Sequence, residues 1–170
     1  DDVESRGLGD VYKRQVLYAS KAFSCKAMYE IAKQEGIGVD VVSGGELYTA
    51  LSVGFPAEKI YLHGNNKLPY ERREALDAKI GGIVVDAYTE ADALDLEAQE
   101  RGMVQDVLIR VNPGVEAHTH AFVQTATPDS KFGFSAADGA ALAMTRHVLS
   151  KKHLRLRGFH CHIGSQIFEK

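Results

Sequence analysis

The sequence predicts an α/β fold, a parallel β-sheet covered by helices and wound as part of a (β/α)8 barrel, and three observations predict it. From Gln15 onward, short β-rich runs alternate with stretches of helical period. The runs are apolar on both sides, as strands buried beneath helices are. The residues that end them are polar or titratable, which is the pattern of strand ends converging on one barrel mouth. A doubly wound open sheet would carry a glycine-rich phosphate loop after its first strand, and neither G-x-G-x-x-G nor G-x-x-x-x-G-K occurs.

Each element follows from its residues. "VLYAS" (16–20) reads as the first strand, and in "AFSCKAMYEIAKQEG" Met28, Ile31 and Ala32 recur at helical spacing until Gly36 supplies a stop. "VDVVS" (39–43) leads into "GGELYTALSVG". "KIYLHG" (59–64) leads through "NNKLPY" into "ERREALDAKIGG", and "IVVDA" (83–87) into "TEADALDLEAQERG". "DVLIRVN" (106–112) precedes a long polar insert, then "SAADGAALAMTRHVLS" and finally "LRGFHCHIG". These are six strand candidates with a helix after each of the first five, about two βα units short of a closed barrel.

Composition narrows the function. The chain has 170 residues, 45% hydrophobic and 25% charged, with 20 basic against 23 acidic side chains. That balance gives no reason to expect a nucleic-acid partner or an anionic membrane surface. Nothing approaches the roughly 20 consecutive apolar residues of a membrane span. Two cysteines, Cys25 and Cys161, suit a reducing compartment, so a cytoplasmic location is expected. "DDVESRGLGDVYKRQ" (1–15) is polar, without hydrophobic period, and is expected to be a non-native or disordered leader. Residues 16–170 are then one barrel domain, truncated before its last units.

The strand ends carry the chemistry: Ser20 and Lys21, Asp40 and Ser43, His63 and Asn65, Asp86, Arg110 and Asn112, then His160, His162 and Ser165. Taken singly, Ser43, Asn65 and Asp86 read as helix caps or turn formers. Lys21 ends an apolar strand. A lysine there is either a solvated surface residue or an amine partly desolvated at the mouth, able to bond an aldehyde. Side chains at i and i+2 of a strand share a face, so His160 and His162 point one way while Phe159, Cys161 and Ile163 point the other. An imidazole face can hold a planar ring, Gly164 lets backbone approach a phosphate, and Ser165 can donate to it. "HTH" (118–120) and "HCH" (160–162) could offer four imidazoles. No acid or cysteine stands at a ligand spacing, so no metal site is expected and His118 and His120 read as exposed loop histidines. Lys131 and Phe132 read as a helix entry with Phe132 as a staple.

In order along the chain, "YASKAFS", "GVDVVSGGELYTAL", "YLHGNNK", "VLIRVNPGV", "DSKFGF" and "GFHCHIGSQI" resemble the fold-type III pyridoxal-phosphate decarboxylases, the class-II ornithine, lysine and arginine group with an alanine racemase-like barrel. The likeness covers 16–170 and is nearest to the diaminopimelate branch. It implies pyridoxal 5'-phosphate as cofactor, with Lys21 as the Schiff-base lysine, His162 stacked on the ring and Ser165 on the phosphate. Asp40 and Arg110 match positions near the cofactor, and His160 is at most a pocket wall. The implied reaction is decarboxylation of meso-2,6-diaminopimelate to L-lysine and CO2. The implied assembly is a homodimer at full length, completed by a glycine-rich phosphate loop, an acid for the pyridine nitrogen and a C-terminal β domain. The 170-residue piece is therefore expected to be inactive alone. The alternatives are another decarboxylase of the group, of carboxynorspermidine or ornithine type, or a non-catalytic cofactor-binding homologue. The insert, long enough to be a functional lid, departs from the group's pattern: Ala126, Thr127 and Pro128 stand where a glycine is more usual.

Overall fold

The computed structural model describes residues 15–114 and 132–164. Strand β1 (Leu17–Ala19) runs into a 3-10 turn (Ser20–Ala22) and helix α1 (Lys26–Gln34); β2 (Gly38–Val41) is followed by α2 (Gly44–Ser52), and β3 (Ile60–Leu62) by α3 (Pro69–Ala78). Then come β4 (Gly82–Val85), α4 (Tyr88–Glu100), β5 (Gln105–Asn112), β6 (Phe134–Ser135), α5 (Ala140–Leu149) and β7 (Leu154–His160). The sheet runs β1-β2-β3-β4-β5, and β7 adds beside β5, every pair parallel. Strand β6 pairs only with the last residues of β5, Val111 and Asn112, and lies within the segment expected to be a polar insert.

Period-two alternation sorts the strands into two faces. Val39 and Val41, Ile60 and Leu62, Ile83 and Val85, Val107 and Ile109 are all fully buried on the helix side. There they meet Leu47, Leu76, Leu94 and Met144 from the covering helices, one residue from each of α2 to α5. Each such side chain contributes about 1.5–3 kcal/mol relative to exposure, so the helix layer is held chiefly by this contact. The other face is apolar for the most part, as expected, with polar groups set into it. Only β4 is buried throughout; Asp40, Tyr61, Leu108 and His160 face inward, and with Leu17, Ala19 and Val84 they line a cavity of about 210 Å³. A barrel interior near its mouth has to present polar groups to a ligand, and the inward positions do so.

Helices α2, α3 and α4 begin with the same device. A glutamate three residues past the cap turns back on the backbone: Glu46 accepts from the Val42 N–H at 2.8 Å, Glu71 from Leu68 at 2.8 Å and Glu90 from Asp86 at 2.9 Å. Each satisfies an N–H left orphaned where strand passes to helix. Glu71 also accepts from the Gly44 N–H at 2.7 Å, tying the start of α3 to that of α2. Ser43 caps α2 as expected, accepting from Glu46 N at 3.3 Å. Asn65 and Asp86 do not cap. Leu68 and Ala87 occupy those positions, and the neighbouring glutamates do the capping work, which frees Asp86 to face other groups.

Candidate active site

All the strands point the same way, so their C-terminal ends collect side chains that are far apart in sequence. Lys21 stands in the turn that ends β1. Its neighbour Ser20 is fully buried, its hydroxyl within hydrogen-bonding distance of the Asp40 carbonyl (2.8 Å) and Glu46 Oε2 (3.0 Å). The turn carrying Lys21 is therefore fastened to β2 and α2 from below. Lys21 itself is exposed, which is the solvated one of the two readings its position allows.

Asp40 projects inward from β2 and its Oδ2 lies 3.7 Å from His63 Nδ1 at the end of β3. The His63 ring leans on that of His160, with centroids 4.4 Å apart and planes at 54°. Among the described residues His63 Nε2 and His160 Nδ1 are buried without a hydrogen-bond partner. Burial foremost, then the nearby His63 and Arg110, lowers the His160 imidazole to about 4, so it is neutral near pH 7. His162 lies just past the strand on the same side. Burial first, and then the charges of Lys21 and Arg110, hold it below the ordinary imidazole range, which places Lys21, Arg110 and His162 within one electrostatic neighbourhood. The alternation expected holds from Phe159 to His162, with His160 and His162 partly buried and Phe159 and Cys161 exposed, but not at Ile163, which lies past the strand and is partly buried too.

Arg110, near the end of β5, is 7% exposed. Its guanidinium lies 4.7 Å from the centre of the Phe132 ring, so Phe132 is a cation–π partner of Arg110 and not the helix staple expected, since strand β6 follows it and the next helix is capped by Gly139. Arg110 Nε is also 3.9 Å from Asp86 Oδ1. Lys67 lies behind both, its side chain 2% exposed, with Nζ 2.8 Å from Glu90 Oε1 and 3.9 Å from Asp86 Oδ2. Burial raises Asp86 and Glu90 against the pull of Lys67.

The strands thus bring Lys21, Asp40, Arg110 and His162 to one end of the sheet, with His160 on the cavity wall. Ser165 and the insert residues His118, His120 and Lys131 lie outside the described residues. No group of three or more metal-ligating side chains occurs among the described residues. Lys67, Glu46 and Glu90 were not singled out from the sequence. The signal that could have found the glutamates is their spacing, three residues past a strand-end cap, as in "SGGE". Lys67 has no comparable signal, since only its burial distinguishes it.

This set of groups fits an anionic, planar aldehyde. It offers an exposed amine, imidazole faces kept neutral by burial, a buried guanidinium, and two inward nitrogens without partners among the described residues.

A family model described as pyridoxal-dependent decarboxylase, pyridoxal binding domain, matches residues 6–170. The diaminopimelate decarboxylase of Bacillus subtilis (strain 168) is 54% identical over 157 residues, covering 92% of this chain and 36% of the relative. That of Mycobacterium tuberculosis (strain H37Rv) is 54% identical over 154 residues, covering 91% and 34%. The chain therefore spans about a third of the length of the curated relatives it matches. Among solved structures, diaminopimelate decarboxylase from M. jannaschii in co-complex with L-lysine aligns with a TM-score of 0.80 at 36% identity, over 89% of this chain and 35% of that one. The Helicobacter pylori enzyme complexed with L-lysine gives 0.85 at 30% identity, over 91% and 39%. The parallel sheet is thus the start of the barrel these enzymes share, and the chain belongs to the pyridoxal-dependent decarboxylase family, through its pyridoxal-binding domain.

Proposed function

We propose that this chain is the cofactor-holding part of a diaminopimelate decarboxylase, which converts meso-2,6-diaminopimelate to L-lysine and CO2. The observation that carries the reading is the convergence of Lys21, Asp40, Arg110 and His162 on one strand-end surface, in a chain 54% identical to enzymes of that name. Residues 16–170 form its barrel domain, and the whole enzyme works as a cytoplasmic homodimer.

Pyridoxal phosphate, when bound, supplies an electron sink for the carbon that loses CO2. The chain's own residues do the rest. Lys21 Nζ would hold the aldehyde, and its exposure leaves it reachable by an incoming amino group. The His162 ring would lie against the cofactor ring. Being held largely neutral, it offers a flat face without adding a positive charge beneath it. His160 walls the cavity below, the His63 ring rests against it, and the Asp40 carboxylate lies 3.7 Å from His63 Nδ1. Arg110 brings a permanent charge to the mouth for an anionic group, and Ser165 would bind phosphate. With about a third of its relatives' length present, the 170-residue chain alone is predicted to release no measurable CO2.

The test replaces the matching third of the Bacillus subtilis relative with this chain, as wild type and as Lys21→Ala. Visible absorbance with pyridoxal phosphate and CO2 release from meso-diaminopimelate are then measured. We expect a cofactor band and CO2 from wild type and neither from Lys21→Ala. A band with release from ornithine but not from diaminopimelate would move the substrate within the family; a band retained in Lys21→Ala would remove Lys21 from its role.

A further inference from the structure

Asp86 is the one carboxylate near the candidate site whose two oxygens are both buried and without a hydrogen-bond partner among the described residues. Its side chain is 8% exposed. A buried carboxylate left this way costs several kcal/mol of desolvation unless charge answers it, and two cations flank it, Lys67 Nζ at 3.9 Å from Oδ2 and Arg110 Nε at 3.9 Å from Oδ1.

The two cations are not equivalent. The Lys67 ammonium is turned elsewhere: Nζ donates to the Val84 carbonyl at 2.7 Å and to the Gly64 carbonyl and pairs with Glu90 Oε1 at 2.8 Å, all nearer than Asp86. Lys67 therefore offers Asp86 charge at a distance. Arg110 is the cation beside Asp86 that also meets an aromatic ring, its guanidinium carbon 4.7 Å from the centre of Phe132. A guanidinium held by both a carboxylate and a ring has little freedom to swing, whereas one held by a ring alone can turn about its last side-chain torsions.

We propose that Asp86 is a positioning residue: its carboxylate, with its charge balanced by Lys67, fixes the Arg110 guanidinium against Phe132 at the mouth of the sheet. The consequence for cofactor binding rests on the function proposed above; the positioning does not. Asp86 touches neither cofactor nor substrate in this account and acts through Arg110.

The experiment reads Arg110 directly, on the 170-residue chain without cofactor. Hydrogen exchange of the Arg110 Nε–H is followed by NMR, the resonance being assigned by its loss in Arg110→Lys. Asp86→Asn should speed that exchange about tenfold or more, while the backbone amides of Val107 and Ile109 keep their protection. Asp86→Glu, which keeps the charge, should restore it to within about twofold. Asp86→Ser is the second neutral variant, should the Asn protein not fold. In the chimera, Asp86→Asn and Arg110→Lys should each weaken pyridoxal phosphate binding, and the double variant should be no weaker than Arg110→Lys alone. Unchanged Arg110 exchange in the folded neutral variants would overturn the proposal and leave Asp86 as a partner of Lys67 only. Cofactor losses that multiply in the double variant would overturn it equally. A wild-type chimera that binds no cofactor would defeat the proposed function while the exchange result still decided the role of Asp86.

Discussion

His160 shows how far a single residue's environment departs from its sequence. As one of two histidines in an apolar strand it reads as a wall at most, yet burial and the positive field around it lower its imidazole to about 4 from an ordinary 6.5. A base whose proton affinity falls on folding is protonated more readily in the unfolded chain. The stability it brings above about pH 6.5 is therefore lost as pH falls towards about 4. The ring is partly exposed, so with solvent screening the loss is about 1–2 kcal/mol. Asp86 and Glu90, raised by burial, act with the opposite sign, and the measurement must be a difference. Urea denaturation of wild type and His160→Gln at about pH 7 and about pH 4.5 should show the variant losing less stability on acidification. An equal loss in both would show that His160 is not held neutral by the fold.

Among the elements, the join between strand and helix is the unit that repeats. At α2, α3 and α4 a glutamate at the third helical position returns to a strand-end N–H, and at α4 the same Glu90 also receives Lys67 from the preceding βα loop. The end of β3 is thereby tied to the start of α4. Lys67→Met would leave Glu90 and Asp86 buried with that charge missing, and breaking such a pair costs about 3–5 kcal/mol. Thermal denaturation should show a fall in Tm well beyond that of Lys79→Met, a lysine at the end of α3 for which no such pair exists among the described residues. Helix existence and order were legible in the sequence because apolar spacing and glycine stops are local signals. The capping of α3 and α4 was not, because Asn65 and Asp86 have the right residue type and only the chain path shows that Leu68 and Ala87 take the cap positions.

For the whole molecule, one apolar layer lies between the sheet and its helices, and strands from Leu17 to His160 contribute to a single sheet. A core shared so widely should unfold as a unit. Leu94→Ala, at a fully buried position of α4, should cost about 2–5 kcal/mol and shift one cooperative transition. Two separated transitions by calorimetry would mean that the sheet is not one core. The sequence by itself determined the alternation of strand and helix, the parallel sheet, the strand-end placement of Lys21, Asp40, Arg110 and His162, and through ordered motifs the family. These follow from period and residue type, which are written locally. Only the tertiary structure decided which strand-end groups meet: Asp40 with His63, His63 with His160, and Asp86 with Arg110 and Lys67. It also decided that Asp40, Tyr61 and His160 interrupt an otherwise apolar inner face. Partners brought together by parallel strands are separated by a helix and two turns of chain, and no local pattern encodes which of them will be buried together.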